Sequence, residues 1–198
     1  MTHQGRRQIE ACMGQNSDLA QRHIAQCAPA CGSTTLVTID GPAGAGKTSL
    51  AMQLAAAIPN STIVHMDWLY NGWNGLNDEL WQRIHDTLLA PLAQNAPAII
   101  TQYDWHHNVF AHNHTIEPGN IVILEGVGSH HPTMREYSSL AIWIDAPNDA
   151  LLERVLNRDG DHLRDQMMAW QQLETEYFRT HRIVEHADLH LTGMPPFG

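Results

Sequence analysis

The sequence predicts an α/β fold, a mostly parallel sheet covered by helices on both faces, and three observations lead there. From Thr34 onward, short apolar or β-branched runs alternate with helical patterns. The run Ile121–Leu124 is apolar at every position, as a parallel strand buried on both faces requires. A glycine-rich turn, Gly41–Thr48, separates the first strand from the first helix of that series.

Residues 1–33 stand apart as an N-terminal helical extension to a domain spanning 34–198. Ile9, Cys12, Met13, Leu19, Ile24 and Cys27 recur at helical intervals, and Pro29 and Gly32 are expected to end the helix. Leu36–Asp40 reads as the first strand, Ser49–Ile58 as a helix, and Ser61–Met66 as a second strand. Leu76, Leu80, Trp81, Ile84, Leu88 and Leu92 mark one helix face, with Pro91 near its end. Strands follow at Ile121–Leu124 and Leu140–Ile144. Leu151, Leu152, Val155 and Leu156 line one further helix. Leu163, Met167, Trp170, Leu173 and Tyr177 line the next. Ala187, Leu189 and Leu191 alternate as a last strand.

Eleven basic residues stand against 21 acidic ones, a formal net charge of −10 over 198 residues. That balance disfavours nucleic acid and anionic membranes and leaves a small molecule as the expected partner. The oligomeric state, a homo-oligomer included, stays open. Cys12, Cys27 and Cys31 are an odd set without a second pair, which reads as reduced thiols of a cytoplasmic protein. No run approaches the roughly 20 apolar residues of a membrane span, and no apolar segment follows Arg6 and Arg7 as a signal would need.

Gly41-Pro42-Ala43-Gly44-Ala45-Gly46-Lys47-Thr48 satisfies the phosphate-loop pattern in full, after a strand and at the start of a helix. Glycines let successive N–H groups turn inward, and the helix start, through Thr48 and Ser49, adds free amides and its dipole. Lys47, the only lysine in the chain, is expected on the β- and γ-phosphates of ATP, and the Thr48 hydroxyl on Mg2+. The fold expected from this loop is the three-layer P-loop NTPase fold.

Phosphoryl transfer needs more than the loop. Glu125 closes the apolar strand and precedes Gly126, the place for a carboxylate that helps hold Mg2+. Asp67 follows the second strand, where a carboxylate can orient an acceptor hydroxyl. Arg154 and Arg158 share a helix side away from the leucine face, and Arg164 follows Asp159-Gly160-Asp161. Residues 158–165 read as a hinged helical lid carrying arginines towards the phosphates.

At this point the residues resemble a known group. Ile39–Thr48 is similar to the loop of nucleoside and nucleoside-monophosphate kinases. Met66-Asp67-Trp68-Leu69-Tyr70, Gln102-Tyr103-Asp104-Trp105, Leu124-Glu125-Gly126 and Arg158–Asp165 resemble four segments of uridine kinases, in the same order. The resemblance implies a five-stranded parallel sheet, ATP with Mg2+ as donor and a nucleoside 5′-hydroxyl as acceptor. It casts Asp67 as the base, with Tyr70, Tyr103, Trp105 and His106 around the acceptor. The Asp-Trp-Leu-Tyr wording and the histidines His106, His107, His112 and His114 depart from that pattern and leave the acceptor open. Kinases of other metabolites share the loop and sheet. A partner-driven ATPase and a nucleotide-binding regulator are the readings from other classes.

Overall fold

The computed structural model describes residues 3–193, with side chains from Gly14 onward except those of 148–150. α1 (His3–Ile24) leads into β1 (Thr35–Asp40), α2 (Lys47–Ala57) and β2 (Thr62–His65). A helical stretch then runs through α3 (Asp78–Ile84), a π turn over His85–Leu89 and α4 (Ala90–Ala93). The hairpin β3 (Ala98–Asp104) and β4 (Val109–Ile116) precedes β5 (Ile121–Glu125) and β6 (Ser138–Asp145). α5 (Asn148–Asp159), α6 (Arg164–His181) and β7 (Leu189–Thr192) complete the order.

Five strands form one sheet in the order β2-β5-β1-β6-β7, every neighbouring pair parallel. Successive side chains of a strand point to opposite faces, and the core divides accordingly. Leu36, Val122 and Leu124 face α3, the π turn and α6, whereas Val37, Ile39 and Ile123 face α1 and α2. This is the predicted three-layer arrangement. The register pairs Ile39 with Glu125 and Glu125 with His65, so three carboxyl ends finish on one row beside the glycine loop.

Three local features differ from expectation. α1 ends at Ile24, before Pro29, in a turn where Gln26 donates to His23 and Cys27 to Ile24. The chain must leave the sheet face there to reach the bridge between Cys31 and Thr34. Ala20 and Ile24 of α1 are buried against α2 and the sheet; the side chains of Ile9, Cys12 and Met13 lie outside the described residues. The helix read through Leu76–Leu92 starts only at Asp78, where the Asn77 side chain caps it, and contains the π turn just before Pro91, where the missing proline N–H and its ring disturb the ordinary ladder. The antiparallel hairpin, Ala98 opposite Ile116 through Asp104 opposite Val109, was not expected. No described helix is long and apolar enough to cross a membrane.

Candidate functional site

The phosphate loop leaves β1 at the centre of the sheet, at its carboxyl edge, where open α/β sheets bind ligands. Gly41 takes φ 147°, and a Cβ there would stand 2.3 Å from the Ile144 carbonyl oxygen. Gly46, at φ 104°, caps α2 in a left-handed conformation that a side chain would resist. Asp40, 1 % exposed, ties the loop to the segment after β5. Its carboxylate accepts the N–H groups of Gly41 (2.8 Å), Gly128 (3.1 Å) and His130 (3.1 Å). Burial raises its pKa to about 6, against the lowering pull of those amides and of Lys47.

Lys47 is buried, and its Nζ donates to the carbonyls of Gly41 (2.7 Å) and Pro42 (2.9 Å). An ammonium has three donors, so one remains for an anion in the cavity that Lys47 lines. The Thr48 hydroxyl donates to Glu125 Oε1 at 3.0 Å, and His65 Nδ1 approaches the same oxygen at 2.5 Å. The hydrogen bond to Glu125 is the main cause that raises the His65 pKa. A hydroxyl and a carboxylate facing each other at the cavity wall are hard oxygen donors that fit Mg2+, which takes few protein ligands and keeps water.

Two adjoining cavities open above this row. The first, about 200 Å3, is lined by loop residues Ala43, Gly44, Gly46, Lys47, Thr48 and Ser49, with Glu125, Arg154 and Arg158 across from them. The second, about 420 Å3, is walled by Tyr70, Trp73, Trp105, Leu163, Met167 and Trp170. Asp67, Ala43, Val155, Arg158 and Trp170 border both. Although the Asp67 residue is exposed to the cleft, loss of solvation by surrounding protein and the Glu125 charge raise its pKa; Lys47, Arg158 and His65 oppose that shift.

The predicted residues fall into three groups. Gly41, Ala43, Gly44, Ala45, Gly46, Lys47, Thr48 and Ser49 form the loop and helix start, with Gly41 and Ala45 buried rather than lining the two cavities. Glu125, Asp67, Arg154, Arg158, Tyr70 and Trp105 come together around the cleft. Arg154, read as lying away from the apolar helix face, is 7 % exposed, and its Nη1 donates to the Gly44 carbonyl at 3.3 Å. Tyr70 donates to the Val127 carbonyl (2.6 Å), and Trp105 to the Asp67 carbonyl (2.9 Å).

The third group stands off. Tyr103 sits behind the wall, in edge contact with Trp105 and with its hydroxyl on Asn108. His106 is exposed on the hairpin turn, where its N–H bonds Asp104 (2.9 Å). Arg164 is held outside the cavities by Asp161 and Glu153. Arg158 forks onto Asp159 at 2.6 and 2.7 Å while still lining both cavities. Gly160, φ 108°, separates α5 from the turn that opens α6.

Sequence reasoning missed Trp73, the wall role of Leu163, Met167 and Trp170, and the anchors Asp40, His65 and Glu174. Leu163, Met167 and Trp170 belong to the stripe read as lining a helix, and the same periodicity serves a core and a cavity wall equally. Asp40 carried a usable signal, an acid directly before the first loop glycine; His65 and Glu174 carried none.

A family model described as an AAA domain matches residues 37–184. The chain is 28 % identical over 142 residues to a uridine kinase of Schizosaccharomyces pombe, covering 62 % of this chain and 31 % of that one. It is 24 % identical over 186 residues to uridine-cytidine kinase C of Dictyostelium discoideum, covering 84 % of this chain and 41 % of that one. The chain thus spans less than half the length of either relative. A Bacillus stearothermophilus structure described as a possible uridine kinase superposes with TM-score 0.65 at 19 % identity, covering 89 % of this chain and 97 % of the other. That likeness is one of fold.

Proposed function

The chain belongs to the AAA-domain family of P-loop proteins, and from that premise we propose that it is a kinase transferring the γ-phosphoryl group of ATP to a hydroxyl of a nucleoside. The carrying observation is the position of Asp67, on the border between the phosphate-loop cavity and the aromatic one. A carboxylate there can accept the proton of a hydroxyl entering from the aromatic side as it attacks phosphorus on the loop side. Merely holding a nucleotide would not call for it.

In this reading the loop amides and Lys47 hold the β- and γ-phosphates, and Arg158 neutralises charge that develops on the transferring group. Thr48 and Glu125 would hold Mg2+, which supplies charge neutralisation on the phosphates when bound. Arg164 joins only if the segment around Gly160 closes, releasing Asp161 and Glu153. Trp73, Trp105 and Trp170 offer aromatic faces and edges to a flat ring. The charged residues lining that cavity are Asp67, Asp159 and Arg158, and with Arg158 assigned to the transferring group no cation is left for an acidic acceptor. A neutral nucleoside therefore fits better than a nucleoside monophosphate or a sugar acid. The similarity to uridine kinases supports the same acceptor class.

The test is ADP release from ATP with Mg2+ across nucleosides, nucleoside monophosphates and sugar acids. One nucleoside should raise the rate far above background and yield its 5′-phosphate by mass. A flat panel with slow hydrolysis would overturn the kinase reading and favour an ATPase driven by a protein partner.

A further inference from the structure

Glu174 on α6 lines neither of the two site cavities, yet it is 2 % exposed. Burial of a carboxylate is costly unless other groups compensate, so its partners matter. Its two oxygens accept the Ala43 N–H at 3.3 and 3.1 Å, and the Trp170 indole, one turn earlier, lies near enough to favour its ionised form. Ala43 and Trp170 both border the two cavities. The carboxylate is thus pinned between the phosphate loop and the wall of the aromatic cavity. On its other side it borders a groove of about 410 Å3 with Pro42, Asp145 and Phe178. The titratable groups around it are Lys47 at the start of α2, Asp40 at the end of β1, Tyr70 after β2 and Asp145 at the end of β6.

We propose that Glu174 is a positioning residue of the phosphate loop, and that its carboxylate takes up a proton from solvent when a nucleoside triphosphate binds. The proposal rests on the nucleotide-binding reading of the loop but not on the identity of the acceptor. An ionised Glu174 fixes Ala43 but sets a negative charge near Lys47, the cation that the phosphates need. Several more negative charges arriving on the loop penalise that ionised form further. Burial has already raised the Glu174 pKa to about 7, with Lys47, Ala43 and Trp170 pulling it down and Asp40 pushing it up. Near neutral pH, where the group is partly ionised, the added charge therefore draws a fraction of a proton per molecule from solvent onto a carboxylate oxygen. The neutral carboxyl keeps a carbonyl oxygen for the Ala43 N–H, so the loop holds its shape while the repulsion disappears.

Calorimetry of the full chain with a non-hydrolysable ATP analogue and Mg2+, in buffers of different ionisation enthalpy, tests this. Wild type should take up a larger fraction of a proton at about pH 7 than Glu174→Gln, which keeps an acceptor for Ala43 but cannot titrate. The variant should bind about tenfold tighter one pH unit above that point and converge with wild type on acidification. Equal proton numbers and parallel pH profiles would overturn the proton half. Glu174→Ala, which also removes the acceptor, should bind more weakly than Glu174→Gln; equal affinities would overturn the positioning half. Failure of all three forms to bind the analogue would overturn the nucleotide reading itself. A silent acceptor panel with normal analogue binding would overturn only the kinase reading.

Discussion

Glu125 Oε1 accepts from the Thr48 hydroxyl and meets His65, while the neighbouring carboxylate, Asp67, borders both cavities and is proposed as the acceptor's base. This division lets two acids placed close together serve different ends. Asp67→Asn removes the proposed proton acceptor with little change of volume. Its kcat should fall by about 10²–10⁴ while the affinity for an ATP analogue stays within about twofold, as titration and turnover assays would read. Because the Asp67 pKa is raised and the base must be ionised, wild-type kcat/KM should decline on acidification above the ordinary aspartate value. Trp73 stands in edge contact with Trp105 and Trp170. Trp73→Ala should raise the acceptor KM by about tenfold and leave the ATP KM alone; an equal rise in both would remove Trp73 from the acceptor wall.

At the scale of elements, legibility followed burial. β5 and the Leu140–Ile144 part of β6 are read easily because both faces are covered and apolar residues run on without interruption, whereas the edge strand β7 shows as an alternation of buried and exposed positions. The hairpin escaped because β4 carries His112, Asn113 and His114 and buries only Ile116. Its strand character comes from pairing with β3, which no local pattern encodes. Likewise the loop, Glu125 and Asp67 were legible as motifs at strand ends, whereas Glu174 acts through a contact with Ala43 across the fold. α1 is an intermediate case, a helix visible in sequence whose docking was not. Ala20 is fully buried where α1 meets α2 and the sheet. Ala20→Glu should therefore cost about 3 kcal/mol or more and lower the midpoint of thermal unfolding. An unchanged midpoint would mean that α1 detaches without consequence for the sheet.

Over the whole molecule, buried acids and buried histidines bias stability in opposite directions with pH. His131 stacks on Trp81 at 4.1 Å between ring centres, and burial, with His181 and Arg135, lowers its pKa from 6.5 to about 3. A histidine depressed in the native state takes its proton first in the unfolded chain. Its contribution is complete above about pH 6.5 and is lost progressively as pH falls towards 3. Asp40 and Glu174 behave oppositely, because burial raises them to about 6 and about 7 and the native state binds their protons first. Their contribution is present at low pH and fades as pH rises through those values. From pH 7 to 5 the His131 loss is on the order of 2 kcal/mol against a gain of roughly 3–4 kcal/mol from the two acids, so these three groups together should make wild type more stable on mild acidification. His131→Phe keeps a ring for Trp81 and deletes the titration. Whatever its stability at neutral pH, the variant should lose less stability, or gain more, than wild type on acidification. Over about two pH units its unfolding midpoint relative to wild type should rise by roughly 4–8 °C. Parallel midpoint curves would show that His131 binds its proton equally in the native and unfolded states, and the opposing balance with Asp40 and Glu174 would fail with it.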